Sequence, residues 1–250
     1  MPVGNPEDRG VLSRLAPEPD RQWTYGADPD QCADVYAPGA APRSTVVLIH
    51  GGFWRPEYDR AHVRPMARAL AARGHLVVSL DYRRRPGDPD VTVDDIRLAV
   101  TEIARVPWLP DAPLQVIGHS AGGHLALLVA ANPPVDLSVV ALAPVADLAE
   151  AARLGLDTDA VIAFLGADPS ERPDLDPTAE AGPRIPVTVV HGENDSIVPV
   201  SLSRSYARAH ADSGWVSLLV LQRTAHFEVI DPLAPAFGEW LSVLDPSGIE

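Results

Sequence analysis

The segment from Gln115 to Leu127 contains a serine with a glycine two residues away on each side, Gly118-His119-Ser120-Ala121-Gly122. The apolar run before it predicts a buried strand, and the leucines and alanines after it predict a helix. A serine on such a turn projects its hydroxyl into open space, because the small neighbours let strand and helix approach. Ser120 is therefore a candidate nucleophile, and the N–H of Ala121 at the helix start is a candidate oxyanion donor.

A glycine pair follows another predicted buried strand, in the run His50-Gly51-Gly52-Phe53-Trp54. Glycines directly after a central strand let the backbone turn with its N–H groups facing inward. We expect the N–H groups of Gly52 and Phe53 to form an oxyanion hole together with that of Ala121. The alternative is a tight turn without a chemical role. Trp54, which ends the run, is a candidate substrate contact.

Two later strand ends carry groups that would activate such a serine. Asp195 and His226 each follow a predicted strand directly. In this chemistry the imidazole takes the serine proton, while the carboxylate fixes the imidazole tautomer and stabilises the imidazolium. Two alternatives remain open, His191 as the base and Asp231 as the acid. Asp231 lies too close to His226 in sequence to come from a separate strand.

Composition excludes several classes of protein. The formal net charge of -14 argues against nucleic acid and anionic membranes as partners. Cys32 is the only cysteine, which excludes an intramolecular disulfide and a cysteine-rich metal site. All 20 basic residues are arginine, so a Schiff-base lysine, a serine–lysine dyad and a Gly-Lys-Ser phosphate loop are excluded. We expect neither a cofactor nor a metal.

The first residues and the hydropathy pattern predict the location of the protein. Residues 1–19 contain charges and prolines but no apolar core of a secretory signal. No apolar run approaches the length that spans a bilayer. The expectation is a cytoplasmic protein that does not enter the membrane.

Strands and helices alternate along the chain. The predicted strands are 31–37, 44–50, 76–80, 114–117, 137–142, 187–191 and 216–221, and the helices outside the Ser120 segment are 61–73, 91–105, 200–211 and 233–244. Such alternation predicts an α/β fold with an open, mostly parallel central sheet and helices on both faces. Ligands of these folds bind at the carboxyl ends of the strands.

The 250 residues are expected to form one domain. Residues 1–22 are predicted to be an irregular polar arm, and about 143–185, broken by prolines, a small helical cap. A short cap covers only a small pocket, for which Phe53, Trp54 and Trp108 are the candidate aromatic lining. Three consecutive loop arginines are either solvated or grip an acidic substrate: Arg83, Arg84 and Arg85.

Taken together, these motifs resemble the α/β-hydrolase superfamily, and within it the bacterial esterase/lipase group that includes kynurenine formamidase (arylformamidase)-like proteins. The resemblance spans roughly residues 34–241 and follows the superfamily order of nucleophile, acid and base: Ser120, Asp195 and His226. It implies that the segment after His50 supplies the second oxyanion element. Gly-Gly-Phe at 51–53 replaces the three-glycine form of hormone-sensitive-lipase-like proteins, which moves the likeness toward the formamidase-like branch.

Three functions are compatible with the sequence. The first is a serine hydrolase that cleaves small carboxylic esters through an acyl-enzyme, without a cofactor. The second is hydrolysis of N-formyl aromatic amides by the same machinery. The third is a catalytically silent α/β-hydrolase that binds a small molecule or a partner. A small-molecule substrate is expected in the first two cases, and the sequence leaves open whether the protein is a homo-oligomer.

Overall fold

The structure, a computed structural model, describes residues 7–244. Its centre is a single eight-stranded sheet with the order β1-β2-β4-β3-β5-β6-β7-β8. β1 pairs antiparallel with β2 and β2 with β4, whereas the six strands from β4 to β8 are parallel. The strands are Arg21–Thr24, Cys32–Tyr36, Ser44–Ile49, His75–Leu80, Leu114–His119, Ser138–Leu142, Val187–Gly192 and Val216–Leu221. The predicted mostly parallel sheet is confirmed.

Within residues 7–244, seven α-helices connect or flank the strands, and they cover both faces of the sheet. α1 and α7 pack on one face, while α2, α3 and α6 pack on the other. Every residue of β3 and β4 is buried, as expected for strands whose apolar runs are covered on both sides. The helices α1 to α7 are Arg64–Ala72, Pro89–Ile103, Ala121–Ala131, Leu148–Arg153, Leu156–Leu165, Ser201–Ala209 and Pro235–Trp240.

The parallel strands end at one edge of the sheet, and the chemically interesting loops follow those ends. β3 lies between β4 and β5, with Ile49 beside Gly118 in the register. β7 and β8 run side by side, with His191 beside Val220. The register therefore brings the glycine turn after β3 next to the serine turn after β5, and the acid loop next to the histidine loop.

The N-terminal arm is more ordered than the sequence predicts. Residues 1–6 lie outside the described residues, but Gly10–Ser13 form a 3₁₀ helix and Arg21–Thr24 form the edge strand β1. Val11 is buried against the core on the α1 and α7 side of the sheet. β1 escaped prediction because it pairs on one side only and is largely exposed, so its sequence carries no apolar alternation.

The connection between β6 and β7 carries α4 and α5 and two short 3₁₀ helices, Pro169–Glu171 and Pro173–Leu175. The first turn of α5 is unusual, since residues 157–159 all have positive φ between 45° and 58°. This turn faces the cavity described below. Within residues 7–244, no helix combines the length and the apolar character that crossing a bilayer requires.

Candidate active site

Ser120 occupies a sharp turn between β5 and α3. Its backbone has φ 57° and ψ −118°, a strained conformation for a residue with a side chain. Its N–H donates to the carbonyl of Leu142 at 2.9 Å, which ties the turn to β6. A Cβ at Gly118 would overlap the carbonyl of Gly122, and one at Gly122 would overlap the main chain at the end of β3. The glycines on both sides of Ser120 therefore permit the close approach of strand and helix.

His226 and Asp195 form a buried hydrogen-bonded pair. The His226 Nδ1–Asp195 Oδ2 distance is 2.6 Å, and Asp195 Oδ1 accepts from the N–H groups of Ile197 at 2.9 Å and Val198 at 2.7 Å. Burial opposes ionisation of Asp195, but the charge of His226 and the hydrogen bonds of His191 and His226 outweigh it, so its pKa lies below the usual range. With Nδ1 donating to the carboxylate, Nε2 of a neutral His226 is left as a proton acceptor.

The two alternative residues have other partners. His191 is fully buried and its Nε2 lies 3.2 Å from Asp195 Oδ2 and 2.8 Å from the carbonyl of Val198. Its Nδ1 lies 2.6 Å from Ser203 Oγ. Both ring nitrogens of His191 therefore have partners, and its contact with Asp195 helps to position that carboxylate. Asp231 forms a two-pronged ion pair with Arg14 of the N-terminal arm.

The glycine turn after β3 contacts the serine turn directly. A Cβ at Gly51 would lie 2.9 Å from Ser120 Cβ, so only glycine fits there. Gly52, Phe53 and Trp54 follow with φ of 111°, 49° and 55°. Within residues 7–244, the N–H groups of Gly52 and Phe53 have no hydrogen-bond partner. These two donors and the first N–H of α3, at Ala121, which has no partner within its helix, therefore remain free for a ligand.

A buried ionic network lies behind the glycine turn. His50 stacks on Tyr82, with its Nδ1 2.7 Å from the carbonyl of Gly51 and its Nε2 3.3 Å from Asp81. Asp81 also accepts from Arg84, and from Arg60 at 2.8 Å. Although burial opposes ionisation of Asp81, His50 and Arg84 keep its pKa below the usual range. The network therefore holds His50, the residue that directly precedes the glycine turn.

The three consecutive arginines pair with acidic side chains in this network or close to it. Arg84 is buried on Asp81, and Arg83 donates through its main chain and its guanidinium to the buried carboxylate of Asp95. Arg85 is more than half exposed and lies 3.7 Å from Asp28. Two of the three arginines are therefore structural, and none of them lines the cavity at Ser120.

Ser120 lines a cavity of about 300 Å³. Part of its lining comes from the turns and loops at the strand ends, part from the N-terminal arm and part from the β6–β7 connection. The lining residues are Arg9, Leu12, Gly52, Phe53, Tyr58, His62, His119, Ser120, Leu154, Gly155, Leu156, Asp157, Ser196, Ile197, His226 and Phe227. The sequence predicts that the segment 143–185 covers the pocket, but it does not single out residues 154–157, and the contribution of the arm was not predicted, because no local motif marks either stretch.

The aromatic lining differs from the expectation. Phe53 lines the cavity, but Trp54 is buried behind it and stacks on Phe164 at 4.4 Å between ring centres. The positive φ of Trp54 turns its side chain into the core, so it supports the cavity wall. Trp108 does not line this cavity but packs edge-on to Trp23 near β1, so the prediction that it lines the pocket is wrong.

No group of three or more His, Cys, Asp or Glu side chains in residues 7–244 is arranged to hold a metal ion.

His119, which lines the cavity beside Ser120, has Nε2 3.2 Å from the carbonyl of His226. Burial, reinforced by the nearby charge of His226, lowers the pKa of His119 well below its ordinary value. His119 is therefore neutral at pH 7, and it donates its Nε2 proton to the His226 carbonyl.

The sheet order, the turn at Ser120 and the Asp195–His226 pair define an α/β-hydrolase fold, as predicted. Esterase B from Lactobacillus rhamnosis superposes with a TM-score of 0.75 at 22% identity, over 92% of this chain and 86% of that chain. The profile of the BD-FAE family matches residues 33–209, more than half of the chain. The protein therefore belongs to the BD-FAE family.

Two proteins of known name are similar in sequence over part of the chain. Kynurenine formamidase from Danio rerio is 30% identical over 129 residues, which is 50% of this chain and 42% of that protein. Monoacylglycerol lipase from Mycolicibacterium smegmatis is 30% identical over 220 residues, which is 68% of this chain and 77% of that protein. The chain thus spans less than half the length of the kynurenine formamidase that it matches.

Proposed function

We propose that this protein is a serine hydrolase that cleaves small carboxylic esters through an acyl-enzyme. The observation that carries the proposal is the joint placement of three groups around one cavity. Ser120 is held in a strained turn, His226 lines the same cavity, and the ring of His226 is hydrogen-bonded to buried Asp195. The relatives named as lipase and formamidase support hydrolysis of a carbonyl substrate.

In the proposed mechanism, His226 Nε2 takes the proton of Ser120 Oγ as the oxygen attacks the ester carbonyl. Asp195 keeps the imidazole in the required tautomer and stabilises the imidazolium. The N–H groups of Gly52, Phe53 and Ala121 receive the oxyanion. His226 then gives the proton to the leaving alcohol, and a water molecule activated by His226 hydrolyses the acyl-enzyme and releases the acid.

The cavity favours short acyl groups. A volume of about 300 Å³ is at the small end of ligand pockets. Leu154 and Leu156 of the β6–β7 connection close one side of it. A long acyl chain would remain in water and add no binding to the transition state, so we expect acetyl to butyryl esters to have the highest kcat/KM.

A second candidate is hydrolysis of an N-formyl aromatic amide. It is favoured by the similarity to kynurenine formamidase and by the aromatic side chains Phe53, Tyr58 and Phe227 in the cavity lining. A formyl group needs almost no acyl space, while a flat leaving group would pack against these rings. Side-by-side rates for N-formylkynurenine and the best simple ester decide between the two functions.

A substrate panel tests the proposal. The purified protein is assayed with p-nitrophenyl esters from acetate to palmitate and with a formanilide, with and without a chelator. We expect a maximum at two to four acyl carbons, no effect of the chelator, and a loss of about four to six orders of magnitude in Ser120→Ala. A maximum on long-chain emulsified esters, or activity restored by a divalent metal after chelation, would contradict the proposal.

A further inference from the structure

The N-terminal arm lies across the two loops that carry Asp195 and His226. Its first described residue, Glu7, places one carboxylate oxygen 2.9 Å from the N–H of Ser196 and 3.0 Å from Ser196 Oγ. The other carboxylate oxygen accepts the backbone N–H of His226 at 2.9 Å. One carboxylate therefore joins the residue after the candidate acid to the candidate base itself.

The backbone of His226 is held at both of its polar groups. Glu7 accepts its N–H, and His119 Nε2 lies 3.2 Å from its carbonyl. The side chain of His226 is held separately by Asp195 at 2.6 Å. These three contacts come from the arm, from the serine turn and from the acid loop, so they fix both the position and the orientation of the imidazole.

The arm is itself anchored by residues that follow Glu7. Val11 is buried in the core, and Arg14 forms its two-pronged ion pair with Asp231, five residues beyond His226. Arg9 lies over the ring of Phe227, 5.6 Å from its centre. These anchors keep the Glu7 carboxylate in place, which is the requirement for a residue that positions another.

Besides Glu7, the hydrogen bond between the side chains of Asp195 and His226 joins the two loops. A backbone bond also joins them, from the N–H of Asn194 to the carbonyl of Thr224 at 2.9 Å. This bond lies nearer the strands than Ser196 and His226, and it fixes the start of each loop. Glu7 connects the parts of the loops that carry the reacting groups, and a hydrogen bond to a charged acceptor is stronger than one between neutral groups.

We propose that Glu7 is a positioning residue, which ties the acid loop to the histidine loop and so holds the His226 imidazole in the cavity that Ser120 also lines. The proposal rests on the function proposed above. A poorly held His226 transfers protons less efficiently, and such a defect is largest for a substrate whose leaving group must be protonated. Loss of Glu7 is therefore expected to lower kcat selectively, with little change in KM.

The kinetic test compares Glu7→Ala and Glu7→Gln with the matched control Glu18→Gln. Glu18 is an exposed carboxylate of the same arm that pairs with Arg64, away from the cavity. We expect kcat of Glu7→Ala to fall about 10- to 100-fold with KM within about twofold of the wild type, and Glu18→Gln to match the wild type. Glu7→Gln should resemble Glu7→Ala. Both carboxylate oxygens of Glu7 accept from backbone N–H groups, so the amide nitrogen of a glutamine would face one of these donors and could not accept from it.

The leaving group separates positioning from loss of folded protein. Each variant is assayed with p-nitrophenyl butyrate and with ethyl butyrate, and rates are divided by the concentration of sites titrated with a fluorophosphonate. We expect the loss in Glu7→Ala to be larger for the ethyl ester, whose alcohol needs a proton. Equal losses on both esters, or wild-type rates per titrated site, would overturn the proposal.

Amide hydrogen exchange gives a readout that needs no activity. Exchange at the N–H groups of Ser196 and His226 should be at least about tenfold faster in Glu7→Ala than in the wild type, whereas Asn194 should be unchanged. Unchanged exchange at all three amides would overturn the positioning role. If the wild type hydrolyses neither ester, the proposed function fails, while the exchange rates still show whether Glu7 holds the His226 loop.

Discussion

The floor of the cavity and its walls are held in different ways. The floor consists of the turns at Gly51–Gly52 and Ser120 and of the Asp195 and His226 loops, and it is fixed by glycine contacts and buried hydrogen bonds at the strand ends. The walls consist of Arg9 and Leu12 of the arm and of residues 154–157 of the β6–β7 connection, which are held by ion pairs and side-chain packing. Chemistry is therefore expected to depend on the floor and on Glu7, which bonds to its two loops, and substrate preference on the walls.

The largest expected effect concerns the acid of the floor. Asp195→Asn should lower kcat by about four orders of magnitude, because the amide favours the wrong imidazole tautomer. Asp231→Asn, which removes a partly exposed ion pair of the arm, should change kcat by less than about threefold, because Val11 and Arg9 still anchor the arm. Steady-state rates on one short-chain ester measure both. The reverse pattern would transfer the acid role to Asp231.

A second prediction concerns the packing of the floor. Gly122→Ala places a Cβ against the carbonyls of Ile49 and His50, which belong to the main chain and cannot move aside. We expect a loss of about 3 kcal/mol or more in the free energy of unfolding, or insoluble protein. Gly39→Ala is the control, since a Cβ there meets nothing within 4 Å. Urea unfolding measures the effect. A Gly122→Ala protein as stable as the wild type would show that the two turns are not closely packed.

His124 joins α3 to the β6–β7 connection, and it predicts a pH dependence of stability. It lies on α3 with Nε2 2.8 Å from the carbonyl of Leu175, and burial lowers its pKa to about 4. Because the unfolded state, with a histidine pKa near 6.5, binds more protons between these values, stability is lost as the pH falls from about 6.5 to 4. The expected slope for this one group is about 1.4 kcal/mol per pH unit.

The matching variant is His124→Gln, which keeps a donor for the Leu175 carbonyl but does not titrate. Urea unfolding at several pH values between about 6.5 and 4.5 should show a shallower decline than in the wild type, whatever the absolute stability of the variant. The other buried histidines contribute equally to both proteins. Identical slopes would mean that His124 is not held neutral by its surroundings.

The smallest effect is expected at a wall. Leu156→Ala removes part of the apolar lining from the β6–β7 connection, so it should lower kcat/KM for a butyryl ester by less than about tenfold, mainly through KM. Acetyl ester hydrolysis should change less. Leu98→Ala, on the exposed side of α2, serves as the control. A loss of kcat comparable to that of Asp195→Asn would erase the distinction between floor and walls.

The same contrast explains what could be predicted from the sequence. The parallel sheet and the positions of Ser120, Asp195 and His226 at strand ends follow from local apolar runs and glycine spacing. The Asp195–His226 contact could be expected because β7 and β8 were both recognisable, and the structure contains it. The catalytic role of these residues, and the use of Gly52, Phe53 and Ala121 as oxyanion donors, stay predictions.

Features that depend on contacts between distant segments were not predictable. Glu7 lies in a polar stretch without periodicity, yet it bonds to residues more than 180 positions away in the chain. Trp54 follows a glycine turn, but its direction depends on a positive φ that its residue type disfavours. Trp108 is an aromatic residue, which is typical of a pocket lining, but its packing on Trp23 depends on strand β1, which the sequence does not predict.

The most direct test of the account is covalent labelling of the nucleophile. The wild-type protein is treated with a fluorophosphonate, digested, and the modified peptide is identified by mass spectrometry, with Ser120→Ala treated in parallel. The account predicts one adduct on Ser120, loss of ester hydrolysis in proportion to labelling, and no labelling of Ser120→Ala. Labelling at another residue, or more than a few per cent of wild-type activity in Ser120→Ala, would contradict it.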